Sequence, residues 1–156
     1  MVDKLSNGKI GYVHVKGMNS ESFRDTYSEL LGRCREKEAV IVDTRHNGGG
    51  WLHEDLAILL SGELSAKFTP RGQFIGNDPF NRWLKPSCVL MCEDKYSNAH
   101  GFPWTYKTLT TGKLIGAPVP GKMNAEGWVT QIVLSLVFGI QTLGMQNQQD
   151  RSLANK

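Results

Sequence analysis

Residues 43–50 read Asp-Thr-Arg-His-Asn-Gly-Gly-Gly and directly follow the apolar run of residues 39–42. Consecutive glycines leave backbone N–H groups without side-chain cover, so an anion can approach them closely. The next segment, residues 51–63, carries apolar residues close to helical spacing. The glycines are therefore predicted to lie at a helix N-terminus, where partial positive charge collects. The anion is either a phosphate or the oxyanion of an acyl transfer, and a purely structural turn is the competing interpretation.

Two common phosphate-binding motifs are not present in this glycine loop. The run does not end in Gly-Lys-Ser/Thr, as a P-loop does, and the chain contains no G-x-G-x-x-G pattern of a dinucleotide fold. The glycine run by itself therefore leaves the chemistry of the anion open.

Ser97 is a second residue that can do chemistry. It follows the apolar segment 87–92, which predicts a buried strand, and it opens a segment running to about Leu109 that predicts a helix. A serine at such a junction exposes its hydroxyl at the carboxyl end of the sheet, although many serines there are N-caps. If the two strands are close in the sheet, the N–H groups of Gly50 and Asn98 can converge on one oxygen as an oxyanion hole.

A serine nucleophile needs a base, and the residues leave several candidates open. None of the four histidines has a spacing that identifies it as the base: His14, His46, His53 and His100. Lys122, in the segment Pro-Gly-Lys-Met, follows Ser97 by 122 − 97 = 25 residues, and its competing interpretation is a solvated loop lysine. No H-x-x-x-H, H-E-x-x-H or C-x-x-C spacing occurs, so neither a metal site nor a cofactor is predicted.

Composition predicts one globular domain over residues 1–156, since 40% of the residues are hydrophobic. The net charge is +3, and the charged residues are interspersed along the chain without a basic block, which argues against nucleic-acid binding. No apolar stretch of about 18 residues exists, and the N-terminus lacks the apolar region of a signal peptide, so no membrane association is predicted. The cysteines are predicted to be buried free thiols, at Cys34, Cys88 and Cys92.

The elements that position these residues follow from hydrophobic patterning. Strands are predicted over residues 9–15, 38–43, 87–92 and 114–116, with one or two more after Gly121. The first helix is predicted to begin at Asn19 or Ser20 as its cap, and Pro103 predicts a late start or a kink in the helix after Ser97. Residues 64–86 are predicted to be irregular apart from a short strand at 66–69, and a loop this long is often a functional rim.

The pattern predicts an α/β domain with a mainly parallel central sheet. The unbroken apolar character of the second strand predicts that it is covered on both faces, as parallel strands usually are.

Three motifs in order carry a resemblance to a known family. They are Asp-Thr-Arg-His-Asn-Gly-Gly-Gly at 43–50, Tyr-Ser-Asn-Ala-His-Gly-Phe-Pro at 96–103, and Gly-Lys-Leu-Ile-Gly at 112–116 with a following Pro-Gly-Lys. Together they resemble the catalytic core of the C-terminal processing (tail-specific) and tricorn-like serine peptidases, over nearly the whole chain. The resemblance implies a ClpP/crotonase-like β-β-α core, with Ser97 as nucleophile and the N–H groups of Gly50 and Asn98 as the oxyanion hole.

The resemblance also bears on the base. In the C-terminal processing branch the base is a lysine about 25 residues after the serine, which implies that role for Lys122. The sequence after Ser97 is closer to the tricorn branch, where an upstream histidine is the base and a late glutamate assists it. Ala154 stands where that glutamate is expected. The family's PDZ domain and upstream helical region are not in the sequence, so the chain is predicted to be a core domain whose catalytic completeness depends on Lys122.

The predicted function is that of a serine endopeptidase core acting on extended peptides or unfolded proteins. One alternative is a catalytically incomplete domain that binds peptides or supports assembly. Another is a crotonase-type acyl-CoA enzyme, for which the chain is short and shows no nucleotide-binding feature. Homo-oligomerisation is a further expectation, since residues 133–140 are apolar enough for an interface, although they fit a core equally well. The resemblance leaves the compartment open between extracytoplasmic and cytosolic.

Overall fold

The computed structural model describes residues 1–95, 97–118, 124–131, 136–149 and 151, and within the last two strands it describes mainly the backbone. The helices are α1 (Val2–Leu5), α2 (Ser20–Leu31), α3 (His53–Leu60) and α4 (Asn98–Thr108). The strands are β1 (Ile10–His14), β2 (Ala39–Asp43), β3 (Ala66–Phe68), β4 (Gly76–Asp78), β5 (Ser87–Met91), β6 (Lys113–Gly116), β7 (Asn124–Gln131) and β8 (Leu136–Gly144). A short 3-10 turn covers Pro70–Gly72.

The central sheet has four parallel strands in the order β1-β2-β5-β6. Its register aligns Val13 with Val42, Val42 with Val89, and Val89 with Leu114. The predicted α/β class with a mainly parallel central sheet is confirmed. Two antiparallel pairs, β3 with β4 and β7 with β8, complete the described strands.

The core lies on one face of this sheet. Side chains of successive strand residues point to opposite faces, and Val40 and Val42 are fully buried whereas Ile41 between them is only half-buried. Helices α3 and α4 contribute Leu56 and Phe102 to the buried face. The prediction that β2 is covered on both faces holds fully for one face and only in part for the other, where Asp43 is buried but Ile41 is half-buried. An unbroken apolar run does not distinguish a covered second face from one that is only partly sheltered.

The second face borders a cavity of about 600 Å³ beside α1, and its lining includes Ile10, Tyr12, Ile41 and Leu90.

Two helix predictions have clear outcomes. Asn19 caps α2, since its Oδ1 accepts a hydrogen bond from the Ser22 N–H at 2.9 Å. Helix α4 begins at Asn98 and includes Pro103, so the proline does not delay its start. Pro103 and Phe102 are both buried. We attribute the presence of a proline inside α4 to this packing, which offsets the loss of the one backbone hydrogen bond that the proline removes.

The segment between α3 and β5 lies at the amino edge of the sheet. Lys85, just before β5, donates hydrogen bonds to the backbone carbonyls of Arg35 and Lys37, just before β2. The short strand predicted in this segment is present as β3, and it pairs with β4. The Lys85 end of this segment therefore lies away from the carboxyl edge, where the predicted site is, and its role as a functional rim stays a prediction.

The cysteines are free, but only Cys34 is fully buried, and Cys88 and Cys92 are half-buried. Among the described residues, no helix has both the length and the apolar composition needed to cross a bilayer.

Candidate active site

The glycine loop and the segment that ends in Ser97 leave the sheet side by side. The first follows β2 and the second follows β5, and these strands are parallel neighbours, with Asp43 paired to Leu90 at their carboxyl ends. A shared oxyanion hole requires that these two strands be close in the sheet. This condition is therefore met. Parallel neighbours end at the same edge of a sheet, so residues 43–50 and 92–97 emerge together.

Gly50 continues the sheet pairing beyond β1 and β2. It forms an isolated parallel bridge with Met18, in which the Met18 N–H donates to the Gly49 carbonyl at 3.0 Å and the Trp51 N–H donates to the Met18 carbonyl at 2.8 Å. Backbone groups of successive extended residues point to opposite sides. The N–H of Gly50 itself therefore points away from Met18, to the side on which β5 lies.

This position requires glycine. Gly50 has a φ of +140°, and a Cβ there would overlap the Met18 carbonyl oxygen. Within the described part of the chain, the Gly50 N–H donates no hydrogen bond.

Ser97 stands at the N-cap position of α4 in a strained conformation. Its φ of 51° and ψ of −123° are unusual for a residue with a side chain. A capping serine has extended backbone and bonds an N–H of the first turn, whereas Ser97 makes no side-chain cap hydrogen bond. The competing N-cap interpretation is therefore not supported. Sharp strand-to-helix turns with strained backbone are also the setting in which some hydrolases present a nucleophilic serine.

Asn98 is the first residue of α4, and its side chain ties this helix to α3. Its Oδ1 accepts a hydrogen bond from the His53 N–H at 2.9 Å, and its Nδ2 lies 2.6 Å from the His53 Nδ1. Burial lowers the pKa of His53, which favours a neutral imidazole that accepts from the amide. The contact joins the N-termini of two helices at the edge where the glycine loop lies. Within the described part of the chain, the backbone N–H of Asn98 donates no hydrogen bond.

The other histidines lie in three different environments. His46 is exposed and forms a 2.5 Å contact with Asp94. His14 is exposed on β1. His100 is half-buried on α4, and burial together with the nearby Lys95 charge lowers its pKa. Its Nδ1 has no hydrogen-bond partner among the described residues.

Sequence reasoning missed Lys95, a buried cation two residues before Ser97. Its side chain is 1% exposed, and its Nζ donates to the Thr44 Oγ1, which in turn donates to the Leu90 carbonyl at 2.9 Å. Burial lowers the pKa of Lys95 to about 8. Lys95 thus connects the end of β2 to the loop before Ser97. Its neighbours Glu93 and Asp94 make the segment resemble a solvated charge run, so no local signal identifies it.

Lys122 and Ala154 lie outside the described residues, so the role of Lys122 stays a prediction.

Comparison with known proteins identifies the family. Residues 9–156, nearly the whole chain, match Peptidase family S41. The chain belongs to this family. The resemblance drawn from the three motifs is therefore confirmed.

Curated relatives of this family S41 chain include two tricorn proteases. The protein from Thermoplasma volcanium and that from Thermoplasma acidophilum are each 28% identical to it over 115 residues. The match covers 74% of this chain and 11% of each relative, so the chain spans only about a ninth of their length.

Solved structures of other peptidases resemble the fold of this family S41 chain. The crystal structure of the tricorn protease has a TM-score of 0.77 at 25% identity, over 88% of this chain and 13% of that chain. The photosystem II D1 C-terminal processing protease has a TM-score of 0.66 at 17% identity, over 93% of this chain and 39% of that chain. At that identity the second likeness shows the fold alone.

Proposed function

We propose that this chain is the core of a serine endopeptidase in which Ser97 is the nucleophile. The observation that carries the proposal is the strained backbone of Ser97 at the start of α4, because α4 follows β5, the neighbour of the strand that leads into the glycine loop. Membership of a peptidase family supports the reaction class.

In this mechanism the Ser97 Oγ attacks the carbonyl carbon of a peptide bond while Lys122 accepts the hydroxyl proton. The N–H groups of Gly50 and Asn98 donate to the oxyanion of the tetrahedral intermediate, and the positive end of α4 adds to this stabilisation. The C–N bond then breaks, and Lys122 returns the proton to the leaving amine. Water hydrolyses the acyl-enzyme and regenerates Ser97.

The oxyanion hole is supported by the backbone geometry of both donors. Neither N–H group donates within the described part of the chain, and the Gly50 N–H points to the side on which β5 lies. The Asn98 side chain, through its two contacts with His53, holds the start of α4 against the start of α3. Donors that are already in place cost no reorganisation when charge develops, which is why such groups are effective in catalysis.

Lys122 must be neutral to accept the proton. A free lysine has a pKa of about 10.4, so the surroundings of Lys122 must lower it by several units before it serves near neutral pH. The support for Lys122 is its distance of 122 − 97 = 25 residues from Ser97, which is typical of the C-terminal processing branch.

We propose an extended peptide or an unfolded protein as the substrate. The relatives are named as proteases, and β6 lies at one end of the described four-stranded order with mostly exposed residues. An extended peptide can pair with such a strand through main-chain hydrogen bonds.

The test is intact-mass spectrometry after reaction with a fluorophosphonate, which modifies activated serines covalently. We expect one adduct on the chain, no adduct on Ser97→Ala, and no adduct on Lys122→Ala. Lys107→Ala, which removes an exposed lysine on α4, is the matched control and keeps the adduct.

Each other outcome overturns a stated part of the proposal. An adduct that persists in Ser97→Ala rules out Ser97 as the nucleophile, and one that persists in Lys122→Ala rules out Lys122 as the base. A folded chain that forms no adduct is not a peptidase core by itself, and that result favours a domain that only binds peptides.

A further inference from the structure

Three side chains of metal-ligating type meet between the loops that follow β2 and β5, and the proposed peptidase reaction uses none of them. They are His46, Cys92 and Asp94, whose ligand atoms all lie within 4.8 Å of one another. His46 comes from the loop after β2, whereas Cys92 and Asp94 come from the loop after β5. The cluster therefore joins the same two loops that lead to the glycine run and to Ser97.

The contacts within the cluster suit a metal site. The His46 Nδ1 lies 2.5 Å from one carboxylate oxygen of Asp94, and the Cys92 thiol donates to the other oxygen at 2.5 Å. The backbone N–H of His46 donates to the Cys92 Sγ at 3.2 Å. Hydrogen bonds of this kind stabilise a metal-bound thiolate.

We propose that the His46 imidazole, the Cys92 thiolate and the Asp94 carboxylate bind one Zn²⁺ ion, with water as the fourth ligand. Zinc takes tetrahedral sets of nitrogen, sulfur and oxygen at about 2.0–2.3 Å, so its ligand atoms lie roughly 3.3–3.8 Å apart. The three ligand atoms already lie within 4.8 Å of one another, which is close to these separations. A soft thiolate selects zinc over Mg²⁺ or Ca²⁺.

Access and charge also fit a zinc ion. His46 and Asp94 are exposed and Cys92 is half-buried, so the ion can enter from solvent and a water molecule can complete its coordination. The thiolate and the carboxylate together neutralise the two charges of the ion. The positive charge of buried Lys95 interacts electrostatically with Cys92 and Asp94. The Lys95 Nζ itself makes its hydrogen bond to the Thr44 Oγ1, at the end of β2. Binding releases the Cys92 thiol proton to solvent, and the His46 imidazole coordinates through Nδ1 as the tautomer that carries its proton on Nε2.

The proposed ion links two loops that the rest of the fold holds through β2 and β5. A ligand that binds only the folded state stabilises it. Zinc is therefore expected to stabilise the carboxyl edge of the sheet, whether or not Ser97 is a nucleophile.

The first test uses Co²⁺ as a spectroscopic probe on the chelator-treated chain. Thiolate coordination produces a sulfur-to-cobalt charge-transfer band in the near ultraviolet. We expect this band to saturate at one Co²⁺ per chain, to vanish in Cys92→Ser, and to require more than about tenfold more Co²⁺ in Asp94→Asn and His46→Gln. The matched controls Cys88→Ser and His14→Gln, which change a cysteine and a histidine outside the cluster, keep the band.

The second test measures the melting temperature with Zn²⁺. The ion is expected to raise it in the chain and in both controls, to leave it unchanged in Cys92→Ser, and to raise it by less in Asp94→Asn at the same Zn²⁺ concentration. Circular dichroism establishes that each variant is folded, and Asp94→Asn replaces Cys92→Ser in the comparison should the latter not fold. The proposal is overturned by the lack of a charge-transfer band in the chain, by a band that persists in Cys92→Ser, or by one that is lost in Cys88→Ser. Neither test reads peptidase activity, so its outcome is separate from that of fluorophosphonate labelling.

Discussion

Ser97 combines backbone strain with the chemistry proposed for it. A left-handed φ costs a residue with a Cβ about 1 kcal/mol or more, and glycine avoids most of that cost. Ser97→Gly is therefore expected to be more stable than Ser97→Ala by about 1 kcal/mol, although both variants lose the proposed nucleophile. Urea denaturation of the two variants measures this difference. Equal stability would mean that the backbone of Ser97 is not strained in solution.

Asp43 is the buried charge that ends β2. Burial alone raises the pKa of its carboxyl group, but hydrogen bonds from Arg45 and Tyr12 outweigh burial and hold the pKa well below its usual range. A carboxyl group with a lowered folded-state pKa contributes stability above its unfolded pKa of about 3.8, and this contribution is lost as the pH falls further.

This sign predicts how an Asp43 variant behaves. Asp43→Asn is expected to be less stable than the unchanged chain by about 2 kcal/mol at pH 7, and the gap should narrow steadily below about pH 4. Denaturant titrations between pH 7 and pH 2 measure the gap. Asp25→Asn, which changes an exposed aspartate on α2, is the control. A gap that stays constant with pH would contradict the ion pair with Arg45.

At the scale of elements, the bridge between Gly50 and Met18 holds the end of the glycine loop in position. Gly50→Ala places a Cβ against the Met18 carbonyl oxygen and a side chain at a φ of +140°, so the bridge must break. The variant is expected to lower the fluorophosphonate labelling rate at Ser97 by about 100-fold or more, because one proposed oxyanion donor is displaced.

A neighbouring glycine provides the control for this prediction. Gly48 belongs to the same run, but a Cβ there meets nothing within 4 Å. Gly48→Ala should therefore label at nearly the rate of the unchanged chain. If both variants label equally well, the Gly50 N–H is not part of the oxyanion hole.

The elements themselves were largely predictable. The strands, the α2 cap at Asn19 and the helix after Ser97 follow from apolar period and local side-chain chemistry, which act over a few residues. The coverage of β2 was not predictable, because a half-sheltered face and a covered one both carry apolar residues. The position of the segment between α3 and β5 was also not predictable, since it depends on the direction in which α3 returns across the sheet.

At the scale of the whole molecule, the single-domain organisation is a prediction that unfolding can test. A single domain is expected to unfold in one cooperative transition. Tryptophan fluorescence and far-ultraviolet circular dichroism should then give the same denaturant midpoint. Two separated midpoints would mean that part of the chain, such as the β7–β8 pair, unfolds independently of the four-stranded sheet.

The sequence by itself determined the fold class, the family and the identity of the residues proposed for the reaction. These depend on the order of short motifs, and each motif is a local pattern: an apolar run before glycines, and a serine between a strand and a helix. The residues that define the proposed oxyanion hole were named from these patterns. Whether the two strands are neighbours was left open, because strand order is not encoded in any one segment.

Only the tertiary structure decided which distant residues meet. It places β2 beside β5, pairs Gly50 with Met18 and buries Lys95 against Thr44, which is 51 positions away. It also brings His46 to Cys92, 46 positions away, to form a cluster that no local metal motif indicates. The physical reason is that burial and long-range contacts depend on how the strands assemble, whereas periodicity and capping depend only on residues adjacent in the chain.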